Sequence, residues 1–427
     1  MSNKIDFYKF LIDRGPSKGG HSLEKIKRLM EFFDNPQDKI KVIHIAGTNG
    51  KGSVANYIGN TLAIKHKVGL FTSPFMKKIN ESIKINGEDI SDEDFTSIIN
   101  RLKTPLEELD EKGLHNSYFE VLTAVMFIYF YEKKVDYAVV EVGLGGSLDS
   151  TNIIKSPLAS IITTISKDHI QILGDSLEEI AKNKAGIIKK SCPVFLYPKE
   201  ENLREIFYDK ADEMNSEIFT FTTDEVKIKN TYNLVNQFSF RSYKDVKTRL
   251  LGNHQAFNAS LALLFFDYFK NQLNLTKEDI YRGLFTASNP GRLEEISNNP
   301  RVIVDGSHNK EAIDALALAL KSFEYSKLII CFSILEDKDY TYVIEKIKKL
   351  ADEIVLTEIP NNPRALDLDY LYSLVKNDFS NVSKFKKIED AYRYSINAVG
   401  ENDLILWCGS LYLIGEILKI KERNNLG

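Results

Sequence analysis

Short β-branched runs alternate along this chain with stretches whose apolar residues recur at helical spacing. Runs at 41–46, 68–71, 136–142 and 158–163 predict strands, the one at 136–142 buried. Each ends in glycine or small polar residues. Helical spacing predicts two helices within residues 1–40, the second capped by Ser22. Further helices are predicted from the loop after residue 46 to about His66, from about Ser91, from Ser117 to about Lys134, and from Ser176 to Lys189. Residues 193–252 read as short strands and helices, β-rich over 226–251, followed by helices from Gly252 to about Phe269 and from Thr276 to Phe285. Asn289-Pro290-Gly291-Arg292 breaks the pattern, and a second alternation begins with strands near 302–305, 328–332, 353–357 and 404–407. Strand and helix in strict turn imply parallel sheets.

The 427 residues suffice for two or three domains. Hydrophobic content of 43% and charged content of 27% fit a globular protein. A net charge of -4 with both signs interspersed argues against a nucleic-acid or membrane-surface partner. The first residues lack the apolar core of a leader, and the run at 121–131 is too short to span a bilayer. Cys192, Cys331 and Cys408 form no metal or redox pair and fit a reducing compartment, so a cytoplasmic protein is expected.

The chemistry starts at Gly47-Thr48-Asn49-Gly50-Lys51-Gly52-Ser53, between a predicted strand and a predicted helix. Free N–H groups at a helix start bind anions, glycines admit phosphate close to the backbone, and lysine adds charge. The spacing departs from the usual G-x-x-x-x-G-K-[ST]: Gly47 stands close to Gly50, and Gly52 separates Lys51 from Ser53. The context favours a nucleoside triphosphate over a plain βα turn. The expected fold is α/β: a phosphate-loop mononucleotide-binding domain with a mostly parallel sheet over 1–288, and a smaller Rossmann-like α/β domain over 289–427.

Polar residues gather at other strand ends, where doubly wound sheets hold ligands. Ser73 follows one strand, as a candidate toward a nucleotide-bound metal or a turn residue before Pro74. Glu141 interrupts an apolar strand, and a buried carboxylate needs a cation or strong donors. A magnesium ligand is preferred there to a solvent-facing strand end. His169 lies on the same sheet edge. Glu120 suits a helix first turn, with a substrate contact as the alternative. Asn258 reads as an adenine contact or a plain polar residue, and Lys184 passes unremarked by composition.

Taken together, His44–Ser53, Phe71-Thr-Ser-Pro74, Glu141–Gly146, Leu148–Asn152, Asp168-His169, Lys184–Ile188, Gly252–Gln255, Pro290–Arg292, Asp305–Asn309, Asp337–Asp339 and Gly409–Tyr412 resemble folylpolyglutamate synthase and dihydrofolate synthase of the Mur ligase superfamily. The resemblance implies an ATP-dependent ligase that joins L-glutamate to a folate through an acyl phosphate, with ATP and Mg2+ required. It implies that Thr48, Asn49, Gly50, Lys51, Gly52, Ser53, Asn258, Arg292 and Asp305 bind ATP. It assigns Ser73, Glu141 and His169 to magnesium, and Ser117, Phe119, Glu120 and Leu148 to the folate. Lys184, matching a carbamylated lysine, His308 and Asp305 are the implied catalytic residues. The second domain is then expected to close over the nucleotide. Small molecules are the expected partners, and a monomer the expected state.

Ser147 stands where bifunctional members can carry arginine, which leans toward polyglutamylation rather than dihydropteroate as acceptor. Ser307 replaces a usual alanine, and Ser333-Ile334 a commoner Gly-Ala. A cell-wall Mur ligase is disfavoured because no UDP-binding domain fits before residue 41. A nucleotide-binding regulator without turnover is disfavoured by the intact set Lys51, Glu141, His169, Lys184 and Asp305.

Overall fold

The computed structural model describes residues 6–16, 22–168, 170–197, 203–229 and 235–425. The chain divides into two compact units: Met1–Lys227, Ser239–Val246 and Phe257–Ala287 form the first, and Ile228–Phe238, Lys247–Ala256 and Ser288–Gly427 the second. The α/β class read from the sequence is the fold observed.

The first unit is built on an eight-stranded sheet of β1 (Val42–Ala46), β2 (Val68–Phe71), β3 (Ile83–Ile85), β4 (Glu88–Asp89), β5 (Tyr137–Glu141), β6 (Ala159–Ile162), β7 (Val194–Leu196) and β8 (Ile218–Phe219). The strand order is β4-β3-β2-β5-β1-β6-β7-β8. From β2 to β8 all pairings are parallel, while β3 and β4 add an antiparallel edge. Every residue of β1, β2, β5 and β6 is buried, which explains their continuous apolar runs. β1 therefore lies at the centre, flanked by β5 and β6, and all three deliver their carboxyl ends to one edge.

The helix Tyr118–Glu132 is apolar all round and buried over most of its length, filling the core beside the helices Glu24–Glu31 and Asp92–Glu111. No described helix is long and apolar enough to cross a membrane. A three-stranded sheet follows, from β9 (Val226–Ile228), β10 (Asn236–Phe240) and β11 (Tyr243–Thr248), in the order β11-β10-β9.

The second unit carries a six-stranded sheet of β12 (Glu294–Asn298), β13 (Arg301–Asp305), β14 (Leu328–Phe332), β15 (Glu353–Thr357), β16 (Val382–Phe385) and β17 (Leu404–Cys408), ordered β12-β13-β17-β14-β15-β16. Only β12 is antiparallel. Trp407, the chain's single tryptophan, is 0% exposed on β17 and pairs in register with Val304 of β13.

Several predicted ends shift. The first-unit helix after β1 stops at Leu62 rather than near His66, and the helix after Ser176 stops at Ala185, where Gly186 caps it. Leu23 rather than Ser22 is the N-cap of Glu24–Glu31, although the Ser22 hydroxyl does accept the Glu24 N–H at 3.2 Å. Strands β3, β4, β12 and β16 went unread in the sequence.

Candidate functional site

β1 ends at Ala46, and the helix Lys51–Leu62 begins five residues later, its N-cap Gly50 making no side-chain cap bond. The turn between them is close-fitting. Gly47 has φ +148, and a Cβ there would lie 1.7 Å from Thr163 Oγ1. Gly50 has φ +89, and its Cβ would lie 2.7 Å from Asn258 Oδ1. Neither position accepts a side chain without strain. The loop is laced to the segment after β6: the Thr48 N–H donates to Thr164 O at 2.6 Å, the Thr48 hydroxyl to Ser166 O at 3.0 Å, and the Asn49 N–H to Thr164 Oγ1 at 3.2 Å. Uncapped amides at a helix start, with the positive end of the helix dipole behind them, form an anion site. Gly52 and Ser53 belong to the first turn of that helix, and Ser53 is buried.

Two lysines meet at this loop. Lys51 Nζ donates to Gly47 O and Thr48 O, each at 3.1 Å, and lies 4.0 Å from Glu141 Oε1. Lys184 is 3% exposed and its Nζ donates to the same Gly47 carbonyl at 2.8 Å. Burial first, then the Lys51 charge, lowers the Lys184 pKa from 10.5 to about 7, against the opposing pull of Asp168 and Asp149. Its amine is therefore substantially neutral near pH 7, unlike an ordinary lysine.

Glu141 ends β5 and is buried, and its Oε2 accepts the Ser73 N–H at 3.3 Å. β2 and β5 are neighbours, so Ser73 and Glu141 come together beside the loop. Among the described residues no group of three His, Cys, Asp or Glu gathers to hold a metal. Mg2+ nevertheless keeps several waters and takes only one or two protein oxygens beside phosphate, which a buried carboxylate and a serine supply. The donor set fits that ion. His169, the third predicted ligand, lies outside the described residues.

Ser117 and Glu120 satisfy each other. Glu120 Oε2 accepts the Ser117 N–H and hydroxyl, both at 2.7 Å, and Ser117 Oγ accepts the Glu120 N–H at 3.4 Å. This capping box accounts for both residues structurally. Phe119 stands beside Phe71, ring centroids 6.0 Å apart, and presses against Gly143. Leu148 is 50% exposed, an unusual state for leucine in a loop otherwise tied down. The backbone N–H and hydroxyl of Ser147 both donate to Asn183 O at 2.8 Å, joining that loop to the Lys184 helix.

In the second unit, Asp305 ends β13 and is buried. It accepts the Leu293 N–H at 2.7 Å, the Ser307 N–H at 2.8 Å and the Ser307 hydroxyl. His308 donates from Nδ1 to Gly306 O at 2.8 Å, because a carbonyl can only accept. Asn309 then caps the helix Lys310–Leu320. The Gly306 N–H donates to Gly291 O, so half-buried Arg292 sits beside the Asp305 turn. The structure thus groups Thr48–Ser53, Ser73, Glu141, Lys184 and Asn258 in the first unit, and Arg292, Asp305 and His308 in the second.

Sequence reasoning assigned no role to Thr163, Thr164 or Asn183, which hold the loops. It also left His44, Asp149 and Thr151 without one. Only Asp149-x-Thr151, a short cap pattern, carried a local signal.

A central parallel sheet with an uncapped glycine loop, two converging lysines and a buried carboxylate defines an α/β protein built to hold a highly charged anion. Residues 45–266 match the family described as Mur ligase middle domain, and residues 291–411 match that described as Mur ligase, glutamate ligase domain. A dihydrofolate synthase/folylpolyglutamate synthase of Bacillus subtilis (strain 168) is 37% identical over 409 residues, covering 93% of this chain and 94% of the relative. A folylpolyglutamate synthase of Lacticaseibacillus casei is 32% identical over 403 residues, 92% of each chain. Mycobacterium tuberculosis folylpolyglutamate synthase, solved in complex with ADP and AMPPCP, matches with a TM-score of 0.88 at 29% identity over 97% of both chains. The chain belongs to the folylpolyglutamate synthase/dihydrofolate synthase family of Mur ligases.

Proposed function

We propose that this protein is an ATP-dependent ligase that joins L-glutamate to a folate carboxylate. The observation that carries the reading is the pair of lysines, Lys51 and Lys184, converging on the Gly47 carbonyl at the head of an uncapped helix. That arrangement supports phosphoryl transfer, which needs alignment and charge neutralisation more than covalent help. A folate carboxylate oxygen attacks the terminal phosphorus of ATP, ADP departs, and an acyl phosphate forms. The neutral amine of glutamate attacks the acyl carbon, the C–O bond to phosphate breaks so that phosphate leaves, the nitrogen gives up a proton, and an amide results.

In this reading Thr48, Asn49, Gly50, Gly52 and Ser53 cradle phosphate oxygens, and Lys51 offsets their charge. Asn258, Arg292 and Asp305 bind the rest of the nucleotide. Glu141, Ser73 and His169 would hold Mg2+, which supplies further neutralisation of the transferring phosphoryl group when bound. Phe119 and Leu148 offer apolar surface to the folate, beside Ser117 and Glu120. His308, held at Nδ1 by Gly306 O, would help position glutamate or the phosphate. A largely neutral Lys184 amine supports carbamylation: nitrogen attacks CO2, a proton leaves, and a cation becomes an anion.

Dihydropteroate is the second acceptor, favoured by the dual name of the Bacillus subtilis relative. The short Ser147, tied to Asn183, favours tetrahydrofolate. The protein would work as a monomer in the cytoplasm, without nucleic-acid or membrane partners. The test is phosphate release with ATP, Mg2+ and labelled glutamate, run separately with tetrahydrofolate and dihydropteroate. Release that needs both glutamate and one acceptor is expected. Release with neither acceptor refutes the reading.

A further inference from the structure

His44 is 0% exposed in the middle of β1, three residues before the phosphate loop. Among the described residues its side chain bonds through Nε2 to Thr151 Oγ1 at 2.8 Å. Proton accounting fixes the direction of the whole chain of bonds. Asp149 Oδ2 accepts the Leu144 N–H at 2.8 Å, and Oδ1 accepts the Thr151 N–H at 3.0 Å and the Thr151 hydroxyl at 2.5 Å. A hydroxyl has one proton, and Asp149 takes it. Thr151 Oγ1 must then accept from His44, so the ring carries its proton on Nε2. Nδ1 is bare, buried and without a partner among the described residues. A second proton there would create a buried cation with no acceptor, which low-dielectric surroundings forbid. Burial and the Lys189 charge accordingly hold His44 neutral, its pKa lowered to about 3.

The far end of this chain touches the chemistry. Asp149 is buried within the fields of both Lys51 and Lys184. Through Leu144 it also fixes the loop that Ser147 joins to the Lys184 helix. A neutral histidine with an unused nitrogen is an expensive way to fill a strand interior, where valine or isoleucine would pack without an orphan atom.

We infer that His44 is a positioning residue of the ligase: its Nε2–H, relayed by the Thr151 hydroxyl, aims Asp149 at the lysine pair and sets the 143–149 loop against Lys184. The inference rests on the ligase reading for its kinetic arm only.

The test compares His44→Phe, His44→Gln, Thr151→Val and the double variant His44→Phe/Thr151→Val. Glutamine can offer an N–H near the Nε2 position; phenylalanine and valine break the relay. We expect kcat to fall about 10- to 100-fold in His44→Phe and Thr151→Val, the range for supporting hydrogen bonds, with KM for ATP within about threefold. His44→Gln should recover most of the rate, and the double variant should be no slower than the slower single one. If His44→Phe does not fold, Thr151→Val and His44→Gln carry the comparison. Wild-type kcat in His44→Phe or Thr151→Val, equal loss in His44→Gln, or losses that multiply, overturns the inference. A separate arm needs no turnover: nitrogen-15 spectra of the imidazole should report Nε2–H alone from about pH 5.5 to 8.5, a window in which a free ring titrates. An Nδ1–H or doubly protonated ring overturns the relay. A wild-type protein inactive with glutamate and every acceptor overturns the ligase reading instead, and leaves the spectra to decide the relay.

Discussion

Replacing Lys184 by methionine should stabilise the first unit while abolishing its chemistry. The unfolded lysine holds its proton up to pH 10.5, the folded one only to about 7. Between those values the unfolded chain binds a proton that the folded chain does not, so stability rises with pH. Below about 7 both states are protonated and the full cost of burial is present. Linkage puts that cost at about 4 kcal/mol near pH 7 and about 2 kcal/mol near pH 9. Methionine has similar length and no charge. It forfeits the 2.8 Å bond to Gly47 O, a loss of about 1 kcal/mol. The net gain is then about 3 kcal/mol near pH 7, shrinking to about 1 kcal/mol near pH 9. Urea unfolding followed by circular dichroism, in nucleotide-free and CO2-free buffer at both pH values, measures it. Wild-type stability should climb by about 2 kcal/mol between the two pH values relative to the variant. Parallel curves for the two proteins, or a variant less stable near pH 7, would refute the reasoning. Glutamate-dependent phosphate release should meanwhile disappear.

Two further outcomes follow from local geometry. Gly47→Ala forces a Cβ to within 1.7 Å of Thr163 Oγ1; a loss of about 1–3 kcal/mol is expected in thermal melts, together with a raised KM for ATP. Ser117→Ala removes one half of a capping box; stability should fall by about 1 kcal/mol in urea titrations, with KM for ATP unchanged.

The parallel core was legible because its strands are buried on both faces. Apart from His44 and Glu141, Val42–Ala46 and Tyr137–Glu141 are apolar and buried throughout, with no alternating polar face to confuse the pattern. β3 and β4 were not, being three and two residues long. Their signal was local: Asn86 and Gly87 both have positive φ, the mark of a tight hairpin turn. β16 hid for another reason, since Val-Ser-Lys-Phe at a sheet edge is only partly buried. At the candidate site, Gly47–Ser53 announced itself through glycine and lysine between strand and helix. Lys184 could not, because its meaning comes from burial beside Gly47, 137 residues away in the chain. Asp149 and His44 share that difficulty: each looks ordinary until the strands are laid side by side.

The solitary indole at Trp407 gives the molecule a built-in optical reporter. Red-edge excitation reads only the carboxyl-terminal unit, since the amino-terminal unit has tyrosines but no tryptophan. Cys408, the next residue along, is in register with Asp305. Any change in emission on adding nucleotide would therefore be read one residue from the strand end that carries that aspartate, with no label attached.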